Sequence, residues 1–421
     1  MNIYFAGIGG VGIGPLAEIA IDAGYDLCGS DKEDSPLTRK LLNRGVDIEI
    51  GAQDGSFLKS QNAKNPIDLY VHTAAMTSDH PEFKAAQELD IKAVKRDQLL
   101  ASIVKDHNLK LIAVSGTHGK TTVTGMLIWS LKQLGVPISY SIGTTLSFGP
   151  SGMFDKSSQY FVYECDEFDK NMLNFEPHLA LITSLDYDHP DTYKDEKDYL
   201  TAFRQFAKQS QLTLSWSNQH ADTFEDLPGV KILDDNDLNT DIKLAGEHNR
   251  RNASLVLSAL ETIGLSGGLT SALSSFPGTD RRFELLDDNL YSDYGHHPVE
   301  IAATLQMARE ISDEVVLVYQ PHQNIRQHDI KDQYTDQFEL AEKIYWVPTY
   351  LSREDSKLSI LEPKDLIQNL TNKDSVQIAE LDQELWQLIQ EARANGKLVV
   401  CMGAGTIDDW VRKMLVGSVN S

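Results

Sequence analysis

Apolar and polar positions along the first hundred residues switch between two periods. Residues 2–7, NIYFAG, form a short apolar run that predicts a buried strand, and GPLAEIAIDAG at 14–24 carries helical spacing that stops on Gly24. The same strand-then-helix unit recurs as YDLCGSD with LTRKLLNRG, and as DLYVHTAA with PEFKAAQEL. Residues 109–116, LKLIAVSG, restart the pattern with a fresh strand, and Val123, Met126, Leu127, Leu131 and Leu134 then fall on one face of a helix expected from about 121 to 134. Further strands are expected at 160–163 and 179–183. A third series follows: NLYSDYG, the helical PVEIAATLQMARE, EVVLVYQ, KIYWVPTY and KLVVCMGAG before a last helix. Strands alternating with helices predict an α/β chain of three domains, each built on a largely parallel, doubly wound sheet. The boundaries are expected at 1–106, 107–277 and 278–421, with Rossmann-like first and third domains.

Charge narrows the partners. The formal net charge is −24, a field that repels nucleic-acid phosphates and anionic membranes. An anionic small substrate then needs local cations and backbone N–H groups. Cys28, Cys165 and Cys401 are widely spaced and form no metal pattern, which fits a reducing compartment. With no basic leader and no apolar run near membrane-spanning length, a cytoplasmic protein is expected, monomer or homodimer.

Two glycine-rich loops carry the candidate chemistry. Gly7-x-Gly9-x-x-Gly12 follows a strand, with Asp31 at the end of the next strand, 19 residues after Gly12. Glycines let the backbone approach a diphosphate, and a carboxylate can hold a ribose hydroxyl; a dinucleotide and a UDP-sugar both meet that description. The second loop, Gly116-Thr117-His118-Gly119-Lys120-Thr121-Thr122, is a phosphate loop one residue tighter than the usual pattern, with Val114 where the first glycine would stand. Its N–H groups cradle phosphate, Lys120 reaches the terminal phosphates and the Thr121 hydroxyl suits Mg²⁺. Glu164, Asp166, Glu167 and Asp169 follow a strand and offer hard oxygens. His189, in LDYDHPD, is a candidate ligand or orienter of a ligand. His248, Asn249 and Asn252 share about one helical turn and present amide edges suited to adenine, unless Asn249 merely caps the helix. Arg281 and Arg282 are adjacent cations suited to phosphate. Asp293, His296 and His297 precede a helix at Pro298, and His322 and Arg326 follow the next strand.

Taken in order, GIGGVGIG, GSD, SGTHGKTT, ECDEFD, DHPDTY, GEHNRRNA, FPGTDRRF, DYGHHPVE, QPH with Arg326, and MGAG span nearly the whole chain and resemble the Mur ligase family. The resemblance implies a UDP-sugar domain, a central ATPase and a C-terminal amino-acid domain. It implies a ligase that uses ATP and Mg²⁺ to join an amino acid, L-alanine by preference, to the lactyl carboxylate of UDP-N-acetylmuramate in peptidoglycan synthesis. Gly9, Gly10, Val11, Gly12, Asp31, His72 and Thr73 would then hold the UDP-sugar, and residues 116–122 the triphosphate. Thr121 and Glu164 would hold one metal, with a further ion near His189. Lys120, Arg281 and Arg282 would offset charge on the transferring phosphoryl group. His248, Asn249 and Asn252 would face adenine. Asp293, His296 and His297 would lie around ribose, phosphate and the amino acid, and His322 and Arg326 would take an amino-acid carboxylate. Gln323 and Gln327 stand where the family often carries Arg and Thr, which leaves glycine or serine open beside alanine. A ligase that attaches a whole tripeptide, a nucleotide-binding regulator and an NAD-dependent oxidoreductase are the competing readings; the last leaves the Lys120 loop without a role.

Overall fold

The computed structural model describes every residue except 11, 74–75, 190–191, 218–220, 353, 355 and 420–421. Three sheets account for the alternating pattern. The first holds β1 (Asn2–Ala6), β2 (Asp26–Asp31), β3 (Asp47–Ile50), β4 (Leu69–His72) and β5 (Lys92–Lys95), in the order β3-β2-β1-β4-β5. All its pairs are parallel. The second holds β6 (Lys110–Ser115), β7 (Ile138–Ser141), β8 (Gly152–Met153), β9 (Tyr160–Glu164), β10 (Leu179–Ile182), β11 (Leu212–Trp216) and β12 (Val230–Leu233). Its order is β12-β11-β10-β6-β9-β7-β8, and only β7 with β8 runs antiparallel. The third holds β13 (Glu284–Asp287), β14 (Leu290–Asp293), β15 (Val315–Tyr319), β16 (Lys343–Trp346), β17 (Val376–Ile378) and β18 (Leu398–Met402). It runs β13-β14-β18-β15-β16-β17, antiparallel only at β13 with β14.

The chain divides into two compact bodies, Met1–Leu238 with Ser254–Phe276, and Asn239–Ala253 with the chain from Pro277 onward. In the first body one apolar core runs beneath both sheets and joins Ile3, Phe5 and Leu16 to Leu111, Phe161 and Phe203. The other face of the first sheet buries Tyr4, Ala6 and Tyr70. In the second body, alternation along β15 sends Val315, Leu317 and Tyr319 into one core and Val316 and Val318 into another. Both faces are covered by helices, as parallel sheets require. The helix Lys120–Gln133 buries more than one stripe: Thr124, Gly125, Ile128 and Ser130 are buried along with Val123, Met126, Leu127 and Leu131. It is enclosed because the short helix Leu269–Ser274 packs on its outer side, where Trp129 Nε1 donates to the Ala272 carbonyl at 3.0 Å. Among the described residues no helix is long and apolar enough to cross a membrane.

Candidate functional site

The second glycine loop leaves β6 through Gly116, whose φ of 134° is unfavourable for other residues. A Cβ there would overlap the Thr183 hydroxyl and stand 2.9 Å from the Ser184 nitrogen. The loop is stapled to the segment after β10. Thr117 Oγ1 donates to the Asp186 carbonyl at 2.7 Å, and the His118 N–H donates to Ser184 Oγ at 2.8 Å. Gly119 caps the helix Lys120–Gln133 without a side chain, so its first N–H groups form an anion site. Lys120 Nζ donates to the carbonyls of Gly116 (2.6 Å) and Thr117 (3.3 Å) and to Glu167 Oε1 (2.9 Å). Thr121 Oγ1 donates to Glu164 Oε1 at 2.6 Å, whose other oxygen accepts the Gly143 N–H at 2.7 Å. Thr122 completes the first helical turn, half-buried.

His189 meets a different carboxylate. Its Nε2 lies 3.3 Å from Glu167 Oε1, and one donor atom each from Asp166, Glu167 and His189 falls within a 4.8 Å group. The ligand set read from the sequence, Thr121, Glu164 and His189, is thus placed as two neighbouring clusters, each touching Lys120 or the residue after it. Burial raises the Glu167 carboxyl, but Lys120 and His189 outweigh it and hold it below its ordinary value. Burial and the Glu167 charge together push Asp166 up. Burial lowers His189, yet its hydrogen bond to Glu167 and the charge of Asp188 leave it raised. Asp169, Lys170 and His189 all have positive φ, between 54° and 59°. This left-handed backbone costs energy outside glycine and gathers at functional sites. Ion pairs hold two of these residues, Asp169 to Lys95 and Lys170 to Asp198.

In the first loop, Asp31 Oδ2 accepts the Gly9 N–H at 2.7 Å and Oδ1 accepts the Glu33 N–H at 3.2 Å. The carboxylate therefore braces the loop. The Gly10 N–H donates to the Gly7 carbonyl, and Val11 lies outside the described residues. At the end of β4, His72 stacks on Tyr70 and meets Phe83 edge-on, and its Nδ1 lies 3.0 Å from the Thr73 carbonyl. The two glycine loops open onto one cavity of about 240 Å³, with Gly12 and Leu16 on one side and Lys120, Glu164 and Asp166 on the other.

The second body holds the remaining candidates. The guanidinium groups of Arg281 and Arg282 both face the Tyr294 ring, at 4.7 and 5.1 Å. Asp293 is buried and accepts the N–H groups of Phe283 (2.8 Å) and Gly295 (2.7 Å); burial raises its carboxyl to about 6, against the pull of Arg282. Glu300 accepts the N–H groups of His296 and His297 and so shapes the turn into the helix Pro298–Ile311. His296 Nδ1 is 3.2 Å from the Tyr294 carbonyl and its Nε2 meets Arg326 Nη1. A donor at Nδ1 and an acceptor at Nε2 describe a neutral imidazole, and burial holds its pKa at about 4. His322 stacks on Tyr350 at 5.7 Å, and burial lowers it to about 4 as well. Gln327 is fully buried; it donates to the His322 carbonyl at 3.0 Å and accepts from Tyr334 at 2.7 Å. The departure at 327 is therefore a strut beneath His322. The helix Glu247–Thr262 starts two residues before Asn249, so Asn249 is not its N-cap; its Nδ2 donates back to the Ala245 carbonyl at 3.1 Å. His248 beside it is lowered by burial to about 4, and Asn252 is half-buried.

Sequence reasoning passed over Arg96, Asp97 and Tyr163, which line the cavity, and Tyr350. The signal for Arg96 was a cation directly after a short strand.

Three family models match consecutive parts of the chain: "Mur ligase family, catalytic domain" over residues 2–108, "Mur ligase middle domain" over 114–216 and "Mur ligase, glutamate ligase domain" over 281–405. A protein of Agathobacter rectalis named UDP-N-acetylmuramate–L-alanine ligase is 30% identical, with 97% of this chain and 96% of the relative covered. A protein of the same name from Clostridium tetani is 31% identical, with 96% of each covered. The crystal structure of a UDP-N-acetylmuramate–alanine ligase from Thermotoga maritima superposes with a TM-score of 0.77, covering 100% of this chain and 99% of that one at 24% identity.

Proposed function

The chain belongs to the Mur ligase family, and from that premise we propose how its residues divide the family's reaction among them. The protein is an ATP-dependent, ADP-forming ligase that joins L-alanine to UDP-N-acetylmuramate in peptidoglycan synthesis. Residues 1–106 hold the UDP-sugar, 107–277 the ATP and 278–421 the amino acid. The first loop grips the UDP handle through Gly9, Gly10 and Gly12, with Asp31 bracing the loop and His72 and Thr73 alongside. Residues 116–122 cradle the triphosphate, and His248, Asn249 and Asn252 face adenine.

The lactyl carboxylate attacks the γ-phosphorus and ADP leaves, giving an acyl phosphate. The amine of L-alanine adds to the acyl carbon; the tetrahedral adduct expels phosphate and the nitrogen loses a proton. Lys120, held by two carbonyls and Glu167, keeps its positive charge beside the transferring group, and Arg281 and Arg282 add to it. Mg²⁺ fits the hard oxygens of Thr121, Glu164, Asp166 and Glu167, with His189 beside them, and when bound would neutralise phosphate charge. His322 and Arg326 hold the amino-acid carboxylate, with Asp293, His296 and His297 supporting that end. Positioning and electrostatics supply the rate.

The observation that supports this reading most is the cavity onto which both loops open, which lets a sugar acid bound at one meet a phosphoryl group bound at the other. An oxidoreductase has no use for that second loop. Incubation with ATP, Mg²⁺, UDP-N-acetylmuramate and a panel of single amino acids should release phosphate only with all components, with L-alanine the best acceptor. Lys120→Ala should abolish release and leave UDP-sugar binding intact. Full activity in that variant refutes the assignment of the ATP site.

A further inference from the structure

The shared cavity carries a second cation that the scheme above leaves idle. Arg96 opens the helix Arg96–Asp106 immediately after β5, at the C-terminal edge of the first sheet. Its guanidinium lies over the first loop: a Cβ on Gly12 would stand 2.6 Å from Nη1, so glycine at 12 makes room for the cation. Among the described residues Lys120 is the other cation lining the cavity, and its ammonium already meets three acceptors within 3.3 Å. Arg96 pairs at longer range, 3.5 Å to Asp97 and 3.9 Å to Asp166, and its side chain is 34% exposed. Asp97 is 3% exposed and accepts the Tyr163 hydroxyl at 2.8 Å. Tyr163 of the second sheet thus holds Asp97 beside Nε, while Nη2 lies toward Asp166 and Nη1 toward Gly12, both of which line the cavity.

A UDP-sugar acid brings two anions, a diphosphate and a carboxylate, into a space that Glu164 and Asp166 already make negative. A planar fork of N–H groups matches either anion in a bidentate way. Building on the ligase reading, we propose that Arg96 is the anion receptor for the UDP-sugar in this cavity, with Asp97 and Tyr163 positioning it. The group recognised is an oxyanion, phosphate or carboxylate.

Titration calorimetry of UDP-N-acetylmuramate and of UDP-N-acetylglucosamine, which lacks the carboxylate, separates the two sources. Arg96→Gln should weaken the muramate ligand by about 10- to 100-fold. Loss for both ligands assigns the diphosphate; loss for the muramate alone assigns the carboxylate. Arg96→Lys, which keeps the charge but not the fork, should fall between Arg96→Gln and the unaltered protein. In turnover the KM for UDP-N-acetylmuramate should rise while that for ATP holds, a split that general unfolding would not produce. Unchanged affinity for both UDP-sugars in Arg96→Gln overturns the assignment and leaves the ligase reading standing. Failure of the unaltered protein to bind either UDP-sugar overturns both.

Discussion

Glu167 is 1% exposed, and a carboxylate so far from water survives ionised only where cations meet it. Lys120 lies 2.9 Å away and His189 3.3 Å away. Removing one member of such a group leaves an uncompensated buried charge, which costs more than the pair contributes. Glu167→Gln should therefore lower stability by about 3 kcal/mol, and Lys120→Met combined with Glu167→Gln should recover much of that loss. Thermal unfolding of the single and double variants checks the coupling. Additive losses would mean that the two side chains do not sense each other. Along the chain, the acidic run from the last residue of β9 onward is four carboxylates with nothing to rank them. Glu164 and Glu167 separate only in three dimensions, one reaching Thr121 and Gly143, the other Lys120 and His189.

At the level of elements, burial explains both what the sequence disclosed and what it hid. The helix Gly14–Ala23 was legible to its last residue because Gly24 ends it at a φ of 97°. Strands β6, β15 and β18 were legible because both their faces are covered, which gives unbroken apolar runs. β3 and β5 were not. They are the two edges of the first sheet, and their sequences, DIEI and KAVK, carry charges, as edge strands do. Missing β5 hid the start of the helix at Arg96, and with it the second cation of the cavity. The helix Lys120–Gln133 shows the reverse effect: its apolar stripe was visible, but not the helix that covers its outer side. Leu127, fully buried there, should cost about 2–5 kcal/mol when replaced by Ala. Gln133→Ala, at an exposed position of the same helix, should change stability by less than about 0.5 kcal/mol. A loss at Leu127 no larger than that at Gln133 in thermal unfolding would show that Leu127 is not enclosed.

Across the whole chain the net charge of −24 concentrates attention on the few groups whose protonation differs between folded and unfolded states. In the second body, burial holds His248, His296 and His322 near 4. Unfolded imidazoles titrate near 6.5, so between about pH 4 and 6.5 the unfolded state binds protons that the folded state refuses, and stability rises with pH. Asp293, raised to about 6, works the other way: its folded carboxyl keeps a proton that the unfolded one loses near pH 4, so this contribution falls as pH climbs through the same window. His322 is part-solvated and counts for less. Two well-buried imidazoles against one carboxyl leave a surplus of about one proton, or roughly 1.4 kcal/mol per pH unit. Hydrogen exchange in Val315–Tyr319 and Leu398–Met402, corrected for intrinsic rate, should show protection increasing from pH 4.5 to 6, and His296→Gln should flatten that rise. A constant or falling protection in the unaltered protein would place a charged imidazole beside Arg326, where only a neutral one can accept its N–H.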